Sequence, residues 1–569
     1  MVGTTKHMAT AQIRESRQGQ QAAASILGAN PMIGVDRVQF ADASARLLRI
    51  LTLNPATLLR HQLGMAGEFA RISLGRSELQ PDADDIRFEH EIWQRNGYYR
   101  RWMQSYLLVS RTLNRMLDEI DVPALDRERA RFALSQILAA LSPTNHLLGN
   151  PEFVSNTLDT RGRSLLRGVV NLVDDMLHNN GMPRQVDERP FKVGGNLACS
   201  EGRVVWRSPV CEVIQYGPRS AEVLDKPVLI IPPQINKYYI VDLAEDKSLV
   251  RWASEQQCQV FVISWRNPTA RLRDWGMESY VDAAKQAVDV VRDVARADSV
   301  NLMAACVGGF TATVLAGHLY SVGEGSKINS LTLMGTVLDT DSESLLGLFA
   351  SDASVEEAIA RSRAAGVLDG AEMARSFAWL RPADLVWSYV ANNYLLGRAP
   401  PAYDVLYWNN DTTRLPAQFH ADLLRIFRRN PLVRPNGLKV LGAPVDLKKV
   451  DCPVYIVSSD RDHVTPWTAC YRSTGLFGGQ TRFVLTAGGH VQSVVAPPDA
   501  DAGYRTNRDV SGSFEQWLGH AQQQPGSWWA DWRQWLAPLS GPLKPAVDGY
   551  GSARHSPGDA APGRYVFQR

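Results

Sequence analysis

The stretch Ser299-Val300-Asn301-Leu302-Met303-Ala304-Ala305-Cys306-Val307-Gly308-Gly309-Phe310 combines an apolar strand pattern with a turn of small residues, and a helical pattern follows to about Leu319. A tight turn between a strand and a helix needs small residues two positions before and two positions after its central residue. Ala304 and Gly308 occupy those positions. Cys306 would then project above the sheet at the start of a helix, where the helix dipole favours a thiolate. The segment predicts a cysteine nucleophile, and a buried structural cysteine is the alternative.

Two later strand ends contain the partners that such a nucleophile requires. One predicted strand runs into an acidic loop with Asp460 and Asp462, and the next is followed by a glycine turn that presents His490. We choose Asp462 as the acid and keep Asp460 as its competitor, while a helix cap before Pro466 is the alternative role for either. Nucleophile, acid and histidine follow one another in the chain order of the α/β hydrolases. The sequence therefore predicts a triad of Cys306, Asp462 and His490.

Two backbone amides are candidates to stabilise the oxyanion that forms when a thiol attacks an acyl carbonyl. The amide of Val307 directly follows the predicted nucleophile and would donate the first hydrogen bond. A second donor is expected from the loop after an earlier strand, and Pro232-Pro233-Gln234-Ile235-Asn236-Lys237 stands in that place. The amide of Ile235 is the candidate, and a purely structural turn is equally compatible with the loop sequence.

The chain pattern predicts an α/β-hydrolase-like fold with a mostly parallel sheet in residues 201–569, preceded by a mainly helical domain in residues 41–200. In the later part, short β-branched runs alternate with helical segments, as in βαβ units. An aromatic-rich helical stretch at about 340–450 predicts a cap insertion over the site. Residues 1–40, and most of those from about 545 until Arg564-Tyr565-Val566-Phe567, are expected to be mobile tails. The predicted strands are Pro227–Ile231, Gln259–Ser264, Val300–Ala304, Ser330–Met334, Val454–Ser458 and Arg482–Leu485.

Composition excludes several classes of protein. The 569 residues are 45% hydrophobic and 21% charged with a net charge of +2, so the chain is too long for one core and carries no strong field for nucleic acid. The six cysteines contain no CxxC pair, and we find no zinc-ligand spacing, phosphate loop or dinucleotide fingerprint. We expect no metal and no cofactor. The first thirty residues lack the long apolar run of a secretory signal, so a cytoplasmic protein is expected.

Several strings outside the triad carry a resemblance to a known family. They are Ser264-Trp265-Arg266-Asn267-Pro268, Tyr407-Trp408-Asn409-Asn410-Asp411-Thr412-Thr413-Arg414-Leu415-Pro416, Asp462-His463-Val464-Thr465-Pro466-Trp467 and Gly489-His490-Val491-Gln492-Ser493. Together with the cysteine segment and the loop at 232–239, they resemble the polyhydroxyalkanoate synthases, and most closely the class II members. The resemblance covers nearly the whole chain. It implies polymerisation of (R)-3-hydroxyacyl-CoA, medium chain length favoured, into polyester with release of CoA.

The resemblance also implies roles for single residues. Cys306 would hold the growing chain as a thioester and His490 would be its base. Asp462 would either orient His490 or activate the 3-hydroxyl of the incoming unit, and both roles stay open. Trp408 matches a family tryptophan linked to dimerisation and the cap, with a buried aromatic as the alternative. The family segment usually begins with glycine where this chain has Ala304, so we expect an altered turn rather than a lost one.

Residues beside the predicted site are candidates for substrate specificity. Thr336, Gly488 and Gln492 lie near it in sequence, and His463 follows the predicted acid. Differences at these positions are expected to influence the acyl length that is accepted. The resemblance further implies an active homodimer at the surface of polyhydroxyalkanoate granules in the cytoplasm, with contacts to phasins. The helical domain would carry the granule, dimer or partner contacts, and no nucleic acid is expected as a partner.

Two other functions fit part of the same pattern. A cysteine-dependent acyl-CoA thioesterase or polyester depolymerase would use the same triad with water as the acceptor, but the strings outside the triad favour the synthase. A non-catalytic granule-surface protein is the second alternative. It is supported by the amphipathic region from Ala45 to Ile72 and by the 15 tryptophans of the chain.

Overall fold

The structure is a computed structural model that describes residues 44–49, 52, 55–82, 85–340, 352–373, 382–462, 464–498 and 503–569. Within these ranges the chain forms two compact units. The helical unit contains the described residues up to Glu188 together with 382–403, and the catalytic unit contains 189–373 and 404–569. The division after Glu188 lies close to the predicted boundary at 200. The predicted N-terminal tail, 1–40, lies outside the described residues.

The helical unit follows the predicted helical pattern. Its helices are α1 (Pro55–Ser73), α2 (Ile92–Arg95), α3 (Gly97–Glu119), α4 (Ala124–Ala140), α5 (Pro151–Asp159) and α6 (Arg163–His178). Asparagine caps begin two of them, because Asn96 accepts from the first amides of α3 and Asn150 from those of α5. The segment Val390–Leu395, which forms a π-helical turn, packs against α6. The amphipathic region from Ala45 to Ile72 contains α1 from Pro55 onward, and α1 packs against α3.

All strands that the structure describes lie in the catalytic unit. They are β1 (Gly202–Arg207), β2 (Cys211–Tyr216), β3 (Glu222–Leu224), β4 (Val228–Ile231), β5 (Val260–Trp265), β6 (Val300–Ala305), β7 (Ile328–Met334), β8 (Val367–Leu368), β9 (Leu415–Pro416), β10 (Leu438–Val440), β11 (Ala443–Val445), β12 (Val454–Ser459), β13 (Thr481–Thr486), β14 (Tyr504–Asn507), β15 (Gln522–Gln524) and β16 (Leu543–Pro545). Ten of them form one sheet in the order β1-β2-β5-β4-β6-β7-β12-β13-β14-β15. The six strands from β5 to β13 in this order are parallel, and the strands at both edges are antiparallel. These six are the six predicted strands, and they confirm the predicted fold class.

Helices surround this sheet. They are α7 (Leu249–Glu255), α8 (Met277–Ala295), α9 (Val307–Ser321), α10 (Asp352–Ala365), α11 (Asp404–Asn410), α12 (Ala417–Arg429), α13 (Trp467–Arg472), α14 (Phe514–His520) and α15 (Trp528–Leu536). The residues of α9 from Val307 to Leu319 are all buried, and those of β4, β5, β6 and β12 are buried as well. Strands covered on both faces read as continuous apolar runs, which explains the sequence pattern. No helix of the described chain is both long enough and apolar enough to cross a membrane.

The predicted cap insertion stands between β7 and β12, but it does not form one body. Residues 352–373 and 404–450 belong to the catalytic unit, whereas 382–403 belong to the helical unit. In the catalytic unit, α10 packs against α12 and β8 pairs with β9. The insertion is therefore shared by two units, which the aromatic pattern of the sequence did not indicate. Its function as a cap stays a prediction.

The residues from about 545 to 563 correct the expectation of a mobile tail, because the Ser552 hydroxyl donates to Asp293 at 2.5 Å and the Gly558 amide donates to the carbonyl of Val204 at 2.8 Å. The end of the chain is held as well. The amides of Arg564 and Tyr565 each donate to Glu212 Oε2 at 3.0 Å, and the Tyr565 hydroxyl donates to the carbonyl of Ser208 at 2.7 Å. The Glu212 side chain is fully buried in β2. A buried carboxylate needs hydrogen-bond donors, and backbone amides of the C-terminal segment provide two of them. Small residues allow this close approach, because a Cβ on Gly563 would lie 2.5 Å from the same carboxylate.

This contact predicts a difference between two glycines of the C-terminal segment. Gly563 and Gly549 both have a positive φ, but only Gly563 has neighbours that an added Cβ would meet within 4 Å. We expect Gly549→Ala to lower the free energy of unfolding by about 1 kcal/mol through backbone strain alone. Gly563→Ala should lower it by a further 1–3 kcal/mol or so, because the methyl also crowds Glu212. Urea unfolding followed by tryptophan fluorescence measures both, and equal effects of the two variants would contradict the packed segment.

Candidate active site

The turn between β6 and α9 holds Cys306 in an unusual backbone conformation. Cys306 has φ +50° and ψ −121°, and α9 begins at the next residue, Val307. A non-glycine residue with positive φ is uncommon, and such conformations persist only where the surrounding structure enforces them. Here the Cys306 amide donates to the carbonyl of Met334 at 2.9 Å, and the Gly309 amide donates to the carbonyl of Cys306 at 2.9 Å. Both sides of the strained residue are thus held by backbone hydrogen bonds.

The glycines after Cys306 allow neighbouring backbone to approach the turn. A Cβ on Gly308 would lie 2.6 Å from the carbonyl oxygen of Pro232 and closer still to that of Ile231. A Cβ on Gly309 would overlap the hydroxyl of Thr336. Because neither position has room for a side chain, the predicted small-residue requirement after the nucleophile has a direct steric cause.

Ala304, the departure from the family pattern, lies before the turn and not in it. Ala304 lies in β6 and pairs with Ile231 of β4 on one side and with Leu333 of β7 on the other. Its side chain is completely buried. Ala304 is not among the residues with positive φ. The extra methyl group therefore occupies ordinary strand backbone, and the turn at Cys306 keeps the conformation of a nucleophile elbow.

Asp462 and His490 come together at the carboxyl ends of β12 and β13. His490 Nδ1 lies 2.7 Å from Asp462 Oδ2, and both side chains are almost completely buried. The amides of Val464 and Thr465 each donate to Asp462 Oδ1 at 2.9 Å. Asp460, the competing candidate, instead accepts from the Gly488 amide at 2.8 Å. The structure therefore places Asp462 beside the imidazole, while Asp460 supports the turn that carries it.

The imidazole of His490 also interacts with the predicted nucleophile. Cys306 lies close enough to His490 to influence the pKa of its imidazole. Because Nδ1 is bonded to Asp462, Nε2 is the ring nitrogen that remains for the thiol. Burial by itself lowers the pKa of His490, but the Asp462 carboxylate and Cys306 outweigh it and raise this pKa to about 10. Burial raises the pKa of Asp462, yet the imidazole and Thr465 hold it below its ordinary value.

Thr465 is a member of the site that the sequence reasoning missed. Its hydroxyl donates to Asp462 Oδ2 at 2.6 Å and lies 3.1 Å from His490 Nδ1. The side chain is buried, with 6% of the residue surface exposed. The sequence signal was available, because a threonine three residues after an aspartate often bonds back to it. Thr465 thus links the acid and the histidine directly.

The loop after β4, which contains the candidate oxyanion amide of Ile235, is fixed by polar contacts. The Thr413 hydroxyl donates to the carbonyl of Gln234 at 2.5 Å, and the Trp265 indole donates to the carbonyl of Pro232 at 2.8 Å. Ile235 itself is buried. The start of this loop touches the turn at Gly308, as described above. Val307 is the first residue of α9, so its amide lies at the helix N-terminus.

Three of the predicted specificity residues shape the backbone around the site. Thr336 is fully buried, and its Oγ1 lies 3.3 Å from the carbonyl oxygens of both Cys306 and Met334. Gln492 accepts from the Gly489 amide at 2.9 Å and packs beside Gly488, whose φ is +120°. These side chains support the turns that carry the nucleophile and the histidine, and their influence on acyl length stays a prediction. The fourth residue, His463, lies outside the described residues.

Trp408 on α11 is buried inside the catalytic unit. Only 3% of its surface is exposed, and its indole donates to the carbonyl of Lys237 at 2.7 Å. The Lys237 ammonium in turn donates to the carbonyl of Gln568 at 2.5 Å, and burial lowers the pKa of Lys237 to about 8. In this conformation Trp408 presents no surface to a second copy of the chain. It matches the buried-aromatic alternative.

The thiol of the site is free, as nucleophilic acyl chemistry requires. All six cysteines are unpaired, and Cys306 is the partly exposed one at the end of a core strand. Within the described ranges, no group of three His, Cys, Asp or Glu residues is arranged to hold a metal ion. A thiol beside an imidazole, oriented by a carboxylate, is the arrangement of a cysteine nucleophile with its base.

Fold and site together define an enzyme of the α/β-hydrolase fold, and a family model described as alpha/beta hydrolase fold matches residues 227–497. A second model, "Poly-beta-hydroxybutyrate polymerase (PhaC) N-terminus", matches residues 84–253. Poly(3-hydroxyalkanoate) polymerase 1 and polymerase 2 of Ectopseudomonas oleovorans are each 44% identical, over 97% and 95% of this chain and 98% and 96% of their own. The polymerase subunit PhaC of Cupriavidus necator is 40% identical over 86% of this chain and 84% of its own. The chain belongs to the poly(3-hydroxyalkanoate) polymerases, which are acyltransferases that make polyhydroxyalkanoate, and the predicted family is confirmed.

The position of Thr465 predicts a rate effect that depends on its hydroxyl. Thr465→Val keeps the shape of the side chain but removes one hydrogen bond to the buried Asp462 carboxylate. A hydrogen bond to a charged group is worth about 1.5–3 kcal/mol, so kcat/KM for CoA release should fall about tenfold or more. Thr465→Ser keeps the hydroxyl and is expected to stay within about threefold of the unchanged protein. Valine and serine variants of equal activity would contradict this role.

The raised pKa of His490 predicts how stability depends on pH. Because the folded protein favours the imidazolium, the contribution of the His490–Asp462 pair to the free energy of unfolding is complete below the unfolded-state pKa of about 6.5. It is lost as the pH rises toward about 10. The difference in free energy of unfolding between the unchanged protein and His490→Gln should therefore decrease from pH 6 to pH 9.5, as measured by urea unfolding. The same substitution at the exposed His520 serves as the control, and a difference that is constant with pH would contradict the assignment.

Proposed function

We propose that this polymerase works through a covalent thioester on Cys306 and favours (R)-3-hydroxyacyl-CoA of medium chain length. The observation that carries the mechanism is the hydrogen-bonded pair of His490 and Asp462, whose imidazole is influenced by Cys306, with the thiol on an elbow at the end of a core strand. The preference for medium chains rests on the strings that resemble class II members. Acylation of a cysteine divides one difficult transfer into two easier ones.

The first step loads the acyl group. The Cys306 sulfur attacks the thioester carbonyl of the acyl-CoA while His490 Nε2 holds the thiol proton. A carbon–sulfur bond to Cys306 forms, the bond to the CoA sulfur breaks, and the departing CoA thiolate takes the proton from His490. The amides of Val307 and Ile235 are the proposed donors to the oxyanion of the tetrahedral intermediate. The contacts that fix the loop after β4 support the second donor.

The second step extends the chain. The 3-hydroxyl oxygen of another 3-hydroxyacyl-CoA attacks the thioester carbonyl on Cys306 and gives its proton to His490. An ester bond forms, the bond to Cys306 breaks, and the Cys306 sulfur recovers a proton from His490. The product is an acyl-CoA that is longer by one unit and loads Cys306 again, so the cycle releases one CoA for each ester bond.

The surroundings of Asp462 support the role of orienting His490 over that of activating the substrate hydroxyl. A carboxylate offers about four acceptor sites. Two amides occupy Oδ1, while the Thr465 hydroxyl and the imidazole occupy Oδ2. The side chain has no exposed surface. An incoming hydroxyl would have to displace one of these partners to reach the carboxylate.

The location and assembly of the enzyme belong to the same proposal. A polyester with alkyl side groups leaves water, and an enzyme that holds the chain covalently stays at the boundary of that phase. We place the enzyme at the granule surface in the cytoplasm, in contact with phasins and active as a homodimer. The composition, with a net charge of +2, supports no role for nucleic acid. CoA enters and leaves as part of the substrate, and no other cofactor is proposed.

The decisive experiment follows CoA release and product size with purified protein and (R)-3-hydroxydecanoyl-CoA. We expect chains of many units, and intact-protein mass after an acid quench should show a hydroxyacyl adduct. Cys306→Ala should lose the adduct and at least about 1,000-fold of the rate, since no other thiol replaces the nucleophile. Cys199→Ala, which removes an exposed cysteine, is the matched control and should keep both.

Three outcomes would overturn parts of this proposal. Polymer made by Cys306→Ala would remove the thioester mechanism. Release of CoA with only free hydroxy acid would favour the thioesterase, in which water is the acceptor. A kcat/KM for (R)-3-hydroxybutyryl-CoA above that for the ten-carbon substrate would contradict the medium-chain preference.

A further inference from the structure

The loop after β4, residues 232–239, holds a buried cation that the proposed chemistry does not use. Only 3% of the Lys237 surface is exposed, and in the part of the chain that the structure describes no carboxylate lies within ion-pair distance of its ammonium. A buried ammonium costs free energy unless hydrogen-bond acceptors replace the water that it has lost. The position of this side chain therefore depends on the group that accepts its hydrogen bond.

That acceptor is the carbonyl oxygen of Gln568, which is 331 positions further along the chain. Lys237 Nζ donates to this oxygen at 2.5 Å, and Asn267 Nδ2 donates to it at 3.2 Å. A carbonyl oxygen has two lone pairs, and these two side chains occupy both. One backbone atom of the C-terminal segment thus joins the loop after β4 to the segment that follows β5.

Asn267 continues the connection back to the loop. Its Oδ1 accepts from the Arg414 amide at 3.0 Å. The residue before, Thr413, donates from its amide to the carbonyl of Ile235 at 3.4 Å, and its hydroxyl bond to the same loop is described above. The hydrogen bonds therefore form a closed ring. From the shared carbonyl oxygen, one path reaches the loop through the lysine and the other through residues 413 and 414.

The C-terminal segment that carries this carbonyl is itself well held. Tyr565–Phe567 forms a 3₁₀ turn, and the Gln568 amide donates to the carbonyl of Tyr565 at 3.2 Å. The guanidinium groups of Arg207 and Arg266 lie over the Tyr565 ring, 5.9 Å and 5.7 Å from its centroid. The backbone bonds of the same segment to β2 are described with the fold. Residues 564–568 therefore present the carbonyl from a fixed place at the edge of the main sheet.

The proposed oxyanion donor of the loop has no acceptor of its own. Within the described residues, the amide of Ile235 donates to no protein atom, although only 7% of the residue surface is exposed. Backbone amides of buried residues almost always have an acceptor, so this one is available to a substrate atom. Because no protein acceptor fixes its direction, the aim of this amide depends on the bonds that hold the rest of the loop.

A small displacement of such a donor is enough to slow acyl transfer. The donor has to lie roughly 2.7–3.1 Å from the oxyanion, and removal of one donor costs about 100- to 1,000-fold in rate. A shift of about 1 Å in a catalytic group can cost about 100-fold. Lys237 is two residues from Ile235. A change in the bond that holds the lysine is therefore transmitted to the amide through only two peptide units.

We propose that residues 564–568 position the loop after β4 for catalysis, with Lys237 and Asn267 as positioning residues that act through the Gln568 carbonyl. This role rests on the proposed function, because its effect on the rate is exerted through the amide of Ile235. It gives a part in the reaction to a segment that contains neither the nucleophile nor its partners. A role in folding alone would instead lower the stability and leave the rate unchanged.

Single-turnover acylation of the full chain tests the role of Lys237. The rate of adduct formation on Cys306 is followed by acid quench and intact-protein mass, over a range of (R)-3-hydroxydecanoyl-CoA concentrations. Lys237→Met keeps the length of the side chain and removes its donor. We expect the maximal rate to fall about 10- to 100-fold. The concentration that gives half of this rate should stay within about threefold, because the oxyanion exists only after attack.

Lys226→Met is the matched control. Lys226 also donates to a backbone carbonyl late in the chain, that of Leu539 at 3.2 Å, and to Asn329 Oδ1 at 2.8 Å. Both lysine variants should lower the urea midpoint of unfolding, but only Lys237→Met should slow acylation. Far-UV circular dichroism checks that both are folded under the assay conditions. Equal acylation rates in the two variants would overturn the positioning role.

A chain that ends at Phe567 tests the same contact from its other side. It lacks the Gln568 carbonyl but keeps Tyr565 and the bonds to β2. If Lys237 acts through this carbonyl, the shortened chain should acylate more slowly by a similar factor. Adding Lys237→Met to it should then slow acylation by no more than about threefold further. Effects that multiply in the combined variant, or a shortened chain of unchanged rate, would overturn the role of the segment.

Hydrogen exchange of the loop gives a readout that needs no substrate. The exchange rates of peptides that span residues 232–239 should rise at least about threefold in Lys237→Met and in the shortened chain, and should stay unchanged in Lys226→Met. If the unchanged protein forms no adduct on Cys306 while exchange rises in both variants, the proposed chemistry fails and the anchoring of the loop stands. If acylation of the unchanged protein is normal and exchange is equal in every variant, the chemistry stands and residues 564–568 do not position the loop.

Discussion

The carbonyl oxygens of Ile231 and Pro232 occupy the space where residue 308 would carry a side chain, and the site is organised around this contact. It joins the end of β4 to the start of α9. Because the two chain segments meet there, the loop that follows β4 and the cysteine on the elbow hold fixed positions relative to each other. The positive φ of Cys306 has its own cause, since the chain must reverse within one residue between β6 and α9.

A second fixed point lies across the sheet at the carboxyl ends of β12 and β13. There the acid accepts four hydrogen bonds, and Thr465 ties it to the imidazole. A carboxylate whose acceptor sites are all occupied suits the proposed role of Asp462, which is to orient and stabilise the imidazolium. What distinguishes a polymerase from a hydrolase on such a site is the acceptor, and that choice depends on which groups reach the thioester rather than on the triad.

Sequence reasoning found those parts of the protein that local pattern determines. The six parallel strands are apolar runs, so their positions can be read along the chain. The elbow, Asp462 and His490 lie at the ends of such runs, where small or polar residues begin. Thr465, the docking of residues 561–568 and the burial of Trp408 depend on neighbours distant in the chain or on a choice among nearby polar groups.

The hydrogen bonds from Arg564 and Tyr565 to Glu212 join residues that are about 350 positions apart in the chain. During synthesis on the ribosome, β2 emerges long before its partners exist. Glu212 then lacks two of its backbone donors until almost the whole catalytic unit has been translated. The two hydrogen bonds from Arg564 and Tyr565 to Glu212 can therefore form only late in synthesis, whereas the pairing of β2 with β1 and β5 needs no residue beyond 265.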